Sequence, residues 1–166
     1  MATCSKPAIL FLRLFVIVLL LSCVACNSET GEQRQVKAAV MRYTDQLASC
    51  YKNMDMNPMQ LVATADHAAK LYSHMAALGE GRVRLESKLK TVAFDSISFP
   101  KPESAAVRTT ETWDFVHVNI DHGQRSLEKK DFPYQVSYEL KKEGDRWLVA
   151  ATSVSTALAQ QKTNGR

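Results

Sequence analysis

Proline and glycine are scarce in this 166-residue chain, at 5 and 6 residues. That excludes a collagen-like or linker-like polymer. Four cysteines are too few for a disulfide-dense scaffold. Neither sign of charge dominates: 21 Lys and Arg stand against 17 Asp and Glu, a net of +4. So mild a balance, without a block of like charges, gives no argument for a nucleic-acid partner. There is no glycine-rich phosphate loop, no Gly-x-Ser-x-Gly and no His-Glu-x-x-His, so the common catalytic signatures are missing. What is present is 46% hydrophobic and 23% charged residues. That is enough to bury a core, and the length suits one domain.

The single long apolar run lies near the start. Lys6 and Arg13 are the only charges before Glu29, and every residue from Leu14 to Leu21 is apolar. A basic start, a short apolar core and a small-residue end make a secretory signal. A spanning helix needs about 20 apolar residues. An uncleaved anchor therefore requires Pro7–Leu12 to enter the bilayer as well. The end of the run resembles the lipobox of bacterial lipoproteins, in which a Cys is lipidated and becomes the mature N-terminus. Two cysteines compete. Leu20-Leu21-Ser22-Cys23 fits the residue pattern, whereas Cys26 gives a longer apolar core and opens a polar tail. The expectation is a signal over 1–25, lipidation at Cys26 or Cys23, and a short tether over 26–31. A secretory signal without lipid is the alternative. The resemblance implies a domain anchored to a bacterial membrane, facing periplasm or exterior. Each buried acyl CH₂ adds about 0.8 kcal/mol to such an anchor. Lys6 and Arg13 leave with the signal and no acid does, so the net charge of +4 falls to +2 in the mature chain.

Beyond the tether, the spacing predicts a helix from Glu32 to about Asn53. Val36, Val40, Tyr43, Leu47 and Cys50 or Tyr51 recur at three and four residues and form one stripe. That helix would hold Cys50 too far from Cys26 for a disulfide, so Cys50 is expected to be free and partly buried. Asn57-Pro58 marks a second start, with Asn as N-cap and Pro at the first turn. The second helix is expected to reach Leu78, with Leu61, Val62, Ala65, Ala69, Tyr72, Met75 and Ala76 inward. His67 and His74 then fall on its polar side, with Gln60, Thr64 and Lys70. Met54, Met56 and Met59 are read as packing at the helix junction.

From Arg82 the period becomes two. Val83, Leu85 and Leu89 alternate with charged residues; the register then slips to Val92 and Phe94, and again to Ile97 and Phe99. Each slip implies a bulge and a bend. A second strand runs from about Ser104 to Ile120, with Trp113 and Phe115 on one face and a slip before Val116, Val118 and Ile120. Asp121-His122-Gly123 turns the chain. Phe132, Tyr134, Val136, Tyr138 and Leu140 mark a third strand, Glu143-Gly144-Asp145 a hairpin turn, and Trp147 to about Val154 a fourth. The tail 156–166 is polar and expected to fray.

Helices followed by a run of strands predict an α+β domain over 32–155. Two N-terminal helices pack on a curved four-stranded antiparallel sheet, cone-like in shape. The segments Thr110–Phe115, Val136–Leu140 and Arg146–Val149, with this order of elements, resemble the cone-shaped domain of the nuclear-transport-factor-2-like superfamily. That group includes ketosteroid isomerases, dehydratases, transport adaptors, secretion-system components and non-catalytic pocket domains, so the resemblance leaves function open. The sequence departs from the enzyme members in showing no third helix after the first strand. The cone is therefore not expected to close into a deep pocket.

The resemblance implies a site inside the cone. Tyr43, Tyr72, Trp113, Phe115, Tyr134 and Tyr138 are its ligand-pocket candidates. Asp114 should face away from Trp113 and Phe115, toward solvent. His117 is read as an edge or surface residue, though a later slip would put it with Trp113. No residue is assigned as catalytic, and no cofactor or metal is expected. His67 and His74 stand about 10 Å apart along their helix, too far to share an ion. The function read from the sequence is a membrane-tethered, non-catalytic envelope lipoprotein binding a protein partner or a small apolar ligand. The alternatives are a small isomerase or dehydratase using a cone-facing Tyr or His, and an accessory subunit of a secretion or cell-wall assembly.

Overall fold

A computed structural model describes residues 29–155. The signal segment, both candidate lipidation sites, residues 26–28 of the tether and the tail 156–166 lie outside the described residues. A compact unit begins at Glu32. Helix α1 spans Gly31–Asn53, a short 3-10 helix spans Asn57–Leu61, and α2 spans Ala65–Glu80. Strands β1 (Val83–Lys101), β2 (Ser104–Asn119), β3 (Arg125–Glu143) and β4 (Arg146–Ser155) follow. They form one antiparallel sheet in the order β1-β2-β3-β4. No helix among the described residues is long and apolar enough to cross a membrane.

The α1 stripe buries as its spacing requires. Val36, Val40, Tyr43, Cys50 and Tyr51 are all buried, and they meet Val107, Val136, Tyr138, Leu140 and Val149 of the sheet in one core. Each such side chain contributes roughly 1.5–3 kcal/mol on full burial. Cys50 is free and fully buried rather than partly so. Met56 and Met59 fill the helix junction, with Met54 packed beside them.

The second helix differs from the expectation in two ways. It is broken: Pro58 opens only the 3-10 turn, and Asn57 is not its cap, since Met56 holds that place. Ala63 then makes a parallel bridge to Val149. Thr64 N–H donates to the Val149 carbonyl at 2.9 Å, and Val149 N–H donates to that of Val62 at 3.0 Å. This clasp interrupts the helix and resets its phase. Its buried face is therefore His67, Ala68 and Met75, with Leu71 and Leu78 packed alongside. Leu61 and Tyr72 are left exposed, Tyr72 at 59%.

The sheet bends because its strands carry unequal numbers of residues. Strand β1 holds an extra residue between Leu89 and Thr91 and another between Phe94 and Ser96, at the two slips expected there. Along β2 the slip expected after Phe115 falls in its partner. Trp113, Phe115 and His117 pair with Phe132, Lys129 and Ser126, so β3 supplies three residues for each two of β2. Leu127 and Asp131 sit in those gaps with φ of 46° and 50°, the left-handed conformation of a bulge. Strand β2 thus keeps its alternation, and Val116 and Val118 are buried without changing face. Strand β3 also starts earlier than expected, at Arg125. A two-residue turn, Gly144-Asp145, joins β3 to β4, with Gly144 at φ 59°, where glycine is favoured.

Candidate functional site

The bent sheet turns one face of β2 into the wall and floor of a cavity of about 470 Å³. Residues at i, i+2 and i+4 of a strand share a face. On β2 this brings Glu111, Trp113, Phe115 and His117 to the cavity. Tyr134, Val136 and Tyr138 of β3 line it too, as do Leu85 and Ser87 of β1 and Thr152 and Val154 of β4. Helix α1 covers it with Tyr43, Thr44, Leu47 and Tyr51, and α2 adds His74.

Glu111 is the residue the sequence reading missed. It is 1% exposed, and its carboxylate accepts three hydrogen bonds. Thr109 Oγ1 donates to Oε1 at 2.6 Å, Tyr138 Oη donates to the same oxygen at 2.6 Å, and Trp113 Nε1 donates to Oε2 at 2.7 Å. A buried charge is tolerated when its oxygens are satisfied in this way. The Tyr138 hydroxyl is held far above the usual phenol range, first by burial and then by the Glu111 charge. It therefore stays a donor. The available signal was the Thr-x-Glu-x-Trp alternation, which sets a carboxylate on the aromatic face of a strand.

Two tyrosine–histidine pairs join the helices beside this floor. Tyr43 Oη lies 2.8 Å from His67 Nε2, with the rings stacked at 5.7 Å. Tyr51 Oη lies 2.6 Å from His74 Nδ1, with the rings edge to face. Burial raises both phenols, Tyr51 to about 12. Burial also lowers the His67 imidazole, helped by the charge of Lys70. His67 is thus buried against the first helix and not on the polar side expected for it, while His74 stays exposed as expected and still reaches Tyr51. The reason for the His67 burial is the reset phase of α2.

Five of the six candidate residues line the cavity: Tyr43, Trp113, Phe115, Tyr134 and Tyr138. Tyr72 does not, and stands at the surface. His117 faces the cavity, contrary to the edge position expected, because the bulges lie in β3 and leave the β2 alternation intact. Its imidazole makes no hydrogen bond among the described residues. Phe132 extends the aromatic wall, 5.0 Å from Tyr134 and 5.8 Å from Phe115 between ring centres. Asp114 points the other way, as its alternation requires. It accepts the Asp131 N–H at 2.8 Å and pairs with Lys90; that backbone bond, then Lys90, lowers its carboxyl. Among the described residues, no group of three His, Cys, Asp or Glu is placed to hold a metal ion.

No family model matches the chain, and no curated protein matches it. Solved structures do. The intermembrane space region of the chloroplast protein ARC6 aligns with a TM-score of 0.65 at 14% identity, over 75% of this chain and 96% of that one. A ketosteroid isomerase-like protein from Erwinia carotovora atroseptica gives 0.52 at 16%, over 77% and 98%. A periplasmic fragment of TraM gives 0.51 at 7%, over 77% and 100%. At such identities the likeness is one of fold. The domain has the α+β fold seen in that ketosteroid isomerase-like protein, with two helices packed on an open four-stranded antiparallel sheet.

Proposed function

We propose that this chain is a non-catalytic binding protein whose cone takes one small, flat, largely apolar ligand. The observation that carries this reading is a 470 Å³ cavity with aromatic walls whose one carboxylate is closed off. Cavities of about 300–1,000 Å³ lined by aromatics with a few fixed polar groups are the usual small-molecule sites. A general base must stand within about 2.6–3.2 Å of the proton it removes. Glu111 is 1% exposed, and both its oxygens already accept hydrogen bonds. It shapes the site and does not meet the ligand.

The ligand reading is tested by titrating the full chain with an apolar fluorescent probe. One site is expected, and Ser87→Trp, which fills the cavity from the β1 wall, should abolish binding with the melting temperature unchanged. Equal binding by that variant would remove the cavity from the argument. The reading includes a tether to a bacterial envelope membrane through lipid on Cys26 or Cys23, supported by the basic, apolar and small-residue order of the first 26 residues. Mass spectrometry of the purified N-terminus tests it, and an intact Met1 or an unmodified start would defeat it.

A second reading, a small isomerase or dehydratase, is favoured by one observation: the unpartnered His117 imidazole in the cavity wall. It requires turnover of an unsaturated ketone or a β-hydroxy ketone that disappears in His117→Asn.

A further inference from the structure

Among the residues that line the cavity, Glu111 is the one side chain of fixed charge; no Lys, Arg or Asp is among them. Glu111 is 1% exposed, and the field of a carboxylate so removed from water is screened less than that of a solvated one. The cavity is therefore negative, and it has no group to receive an anion. Its walls add to this. Tyr43, Tyr51, Trp113, Phe115, Tyr134 and Tyr138 supply six aromatic rings, and a π face is the negative part of its ring. Two of those rings donate to Glu111 through their polar edge, Trp113 through Nε1 and Tyr138 through Oη. Donation to an anion pushes electron density back into the ring, which makes its face a better partner for a cation.

We infer that the ligand of this cavity is an organic cation with its charge spread over an apolar surface, a quaternary or aryl ammonium. The inference rests on the small-molecule reading proposed above and names the ligand's class. Burial of Glu111 excludes a direct ion pair. A primary ammonium has three N–H donors to satisfy, which ring faces do not accept as well as oxygen or nitrogen does. A quaternary ammonium has none to satisfy and is recognised by ring faces and field alone. His74 and His117 are the other groups in the wall able to carry positive charge.

Isothermal titration of the full chain with three ligands of one shape tests this: phenyltrimethylammonium, neutral tert-butylbenzene and benzenesulfonate. The ammonium should bind, the sulfonate at least about tenfold more weakly. Glu111→Gln should weaken the ammonium about tenfold and change tert-butylbenzene by less than about twofold. If Glu111→Gln does not fold, the comparison of ammonium with sulfonate on the unaltered chain decides alone. Sulfonate binding as tightly as the ammonium, or tert-butylbenzene binding where the ammonium does not, would overturn the cationic ligand and leave the cavity reading intact. Binding of none of the three, together with probe binding that Ser87→Trp leaves unchanged, would overturn both.

Discussion

Tyr138→Phe isolates the contribution of one donor to the buried carboxylate. The substitution removes the hydroxyl that donates to Glu111 Oε1 at 2.6 Å. It keeps the ring, whose edge-to-face contact with Tyr43 spans 6.0 Å, so packing is conserved and no large void forms. A hydrogen bond to a charged group contributes about 1.5–3 kcal/mol. Oε1 retains Thr109, which places the expected loss near the middle, at about 2 kcal/mol. With a urea slope of about 1–3 kcal/mol per M, the unfolding midpoint should fall by about 1 M. The stronger test is a cycle with Thr109→Val. Each single variant leaves Oε1 one donor, whereas the double variant leaves it none. The double should therefore exceed the sum of the singles by about 1 kcal/mol or more. A Tyr138→Phe midpoint indistinguishable from the parent, or strict additivity in the cycle, would refute the view that Glu111 is charged and depends on these donors.

Other expectations follow from the buried titratable groups. Tyr43, Tyr51 and Tyr138 all have phenols raised by burial; the unfolded chain ionises near pH 10 and the folded one does not. Their contribution to stability is complete below that pH and is lost above it. Absorbance at 295 nm should show these three titrating only together with unfolding; smooth titration of a folded chain would contradict their burial. His67 has the opposite sense. Its imidazole is lowered by burial, so its contribution is present above about pH 6.5 and falls as the unfolded state takes up the proton. Urea midpoints at pH 8 and pH 5.5 should differ less in His67→Gln than in the parent, and an equal difference in both would exclude His67 as a source. Cys50 is buried, and burial raises its thiol while the Gln46 amide opposes this. It should be inert to a thiol reagent until the chain unfolds. Prompt reaction in the native state would show that the α1 stripe opens.

The parts of the fold legible in the sequence are those set by local pattern. The α1 stripe from Val36 to Tyr51 is continuous, and the strands alternate between clear turns. The bulges of β1 were legible as slips because Lys90 and Asp95 interrupt the apolar alternation. Those of β3 were not, since Leu127 and Asp131 lie in a charged stretch whose pairing with β2 depends on the bend. The α2 phase was hidden for a related reason. Leu61 and Val62 continue a helical spacing across Pro58, but the Ala63–Val149 bridge is a tertiary contact and breaks it. Five of the six cavity candidates were reached because aromatic residues on an inner face are visible by period alone. Glu111 was passed over because a carboxylate reads as solvated until its three donors are brought around it, and one of them, Tyr138, comes from another strand.

The clasp between Val62–Thr64 and Val149 also sets an order of assembly. Every strand pairs with its neighbour in sequence, so the sheet can grow hairpin by hairpin behind the emerging chain. The helices come first in sequence, yet the clasp that holds them to the sheet belongs to the 10-residue final strand. Until Val149 is in place, the apolar undersides of α1 and α2 lack this attachment. A chain cut short before that residue keeps the rings and the carboxylate of the cavity but loses the clasp that fixes its roof. The roof of the cavity is therefore fixed only once β4 has been made, and truncation before β4 should leave a chain open to proteolysis where the described domain resists it.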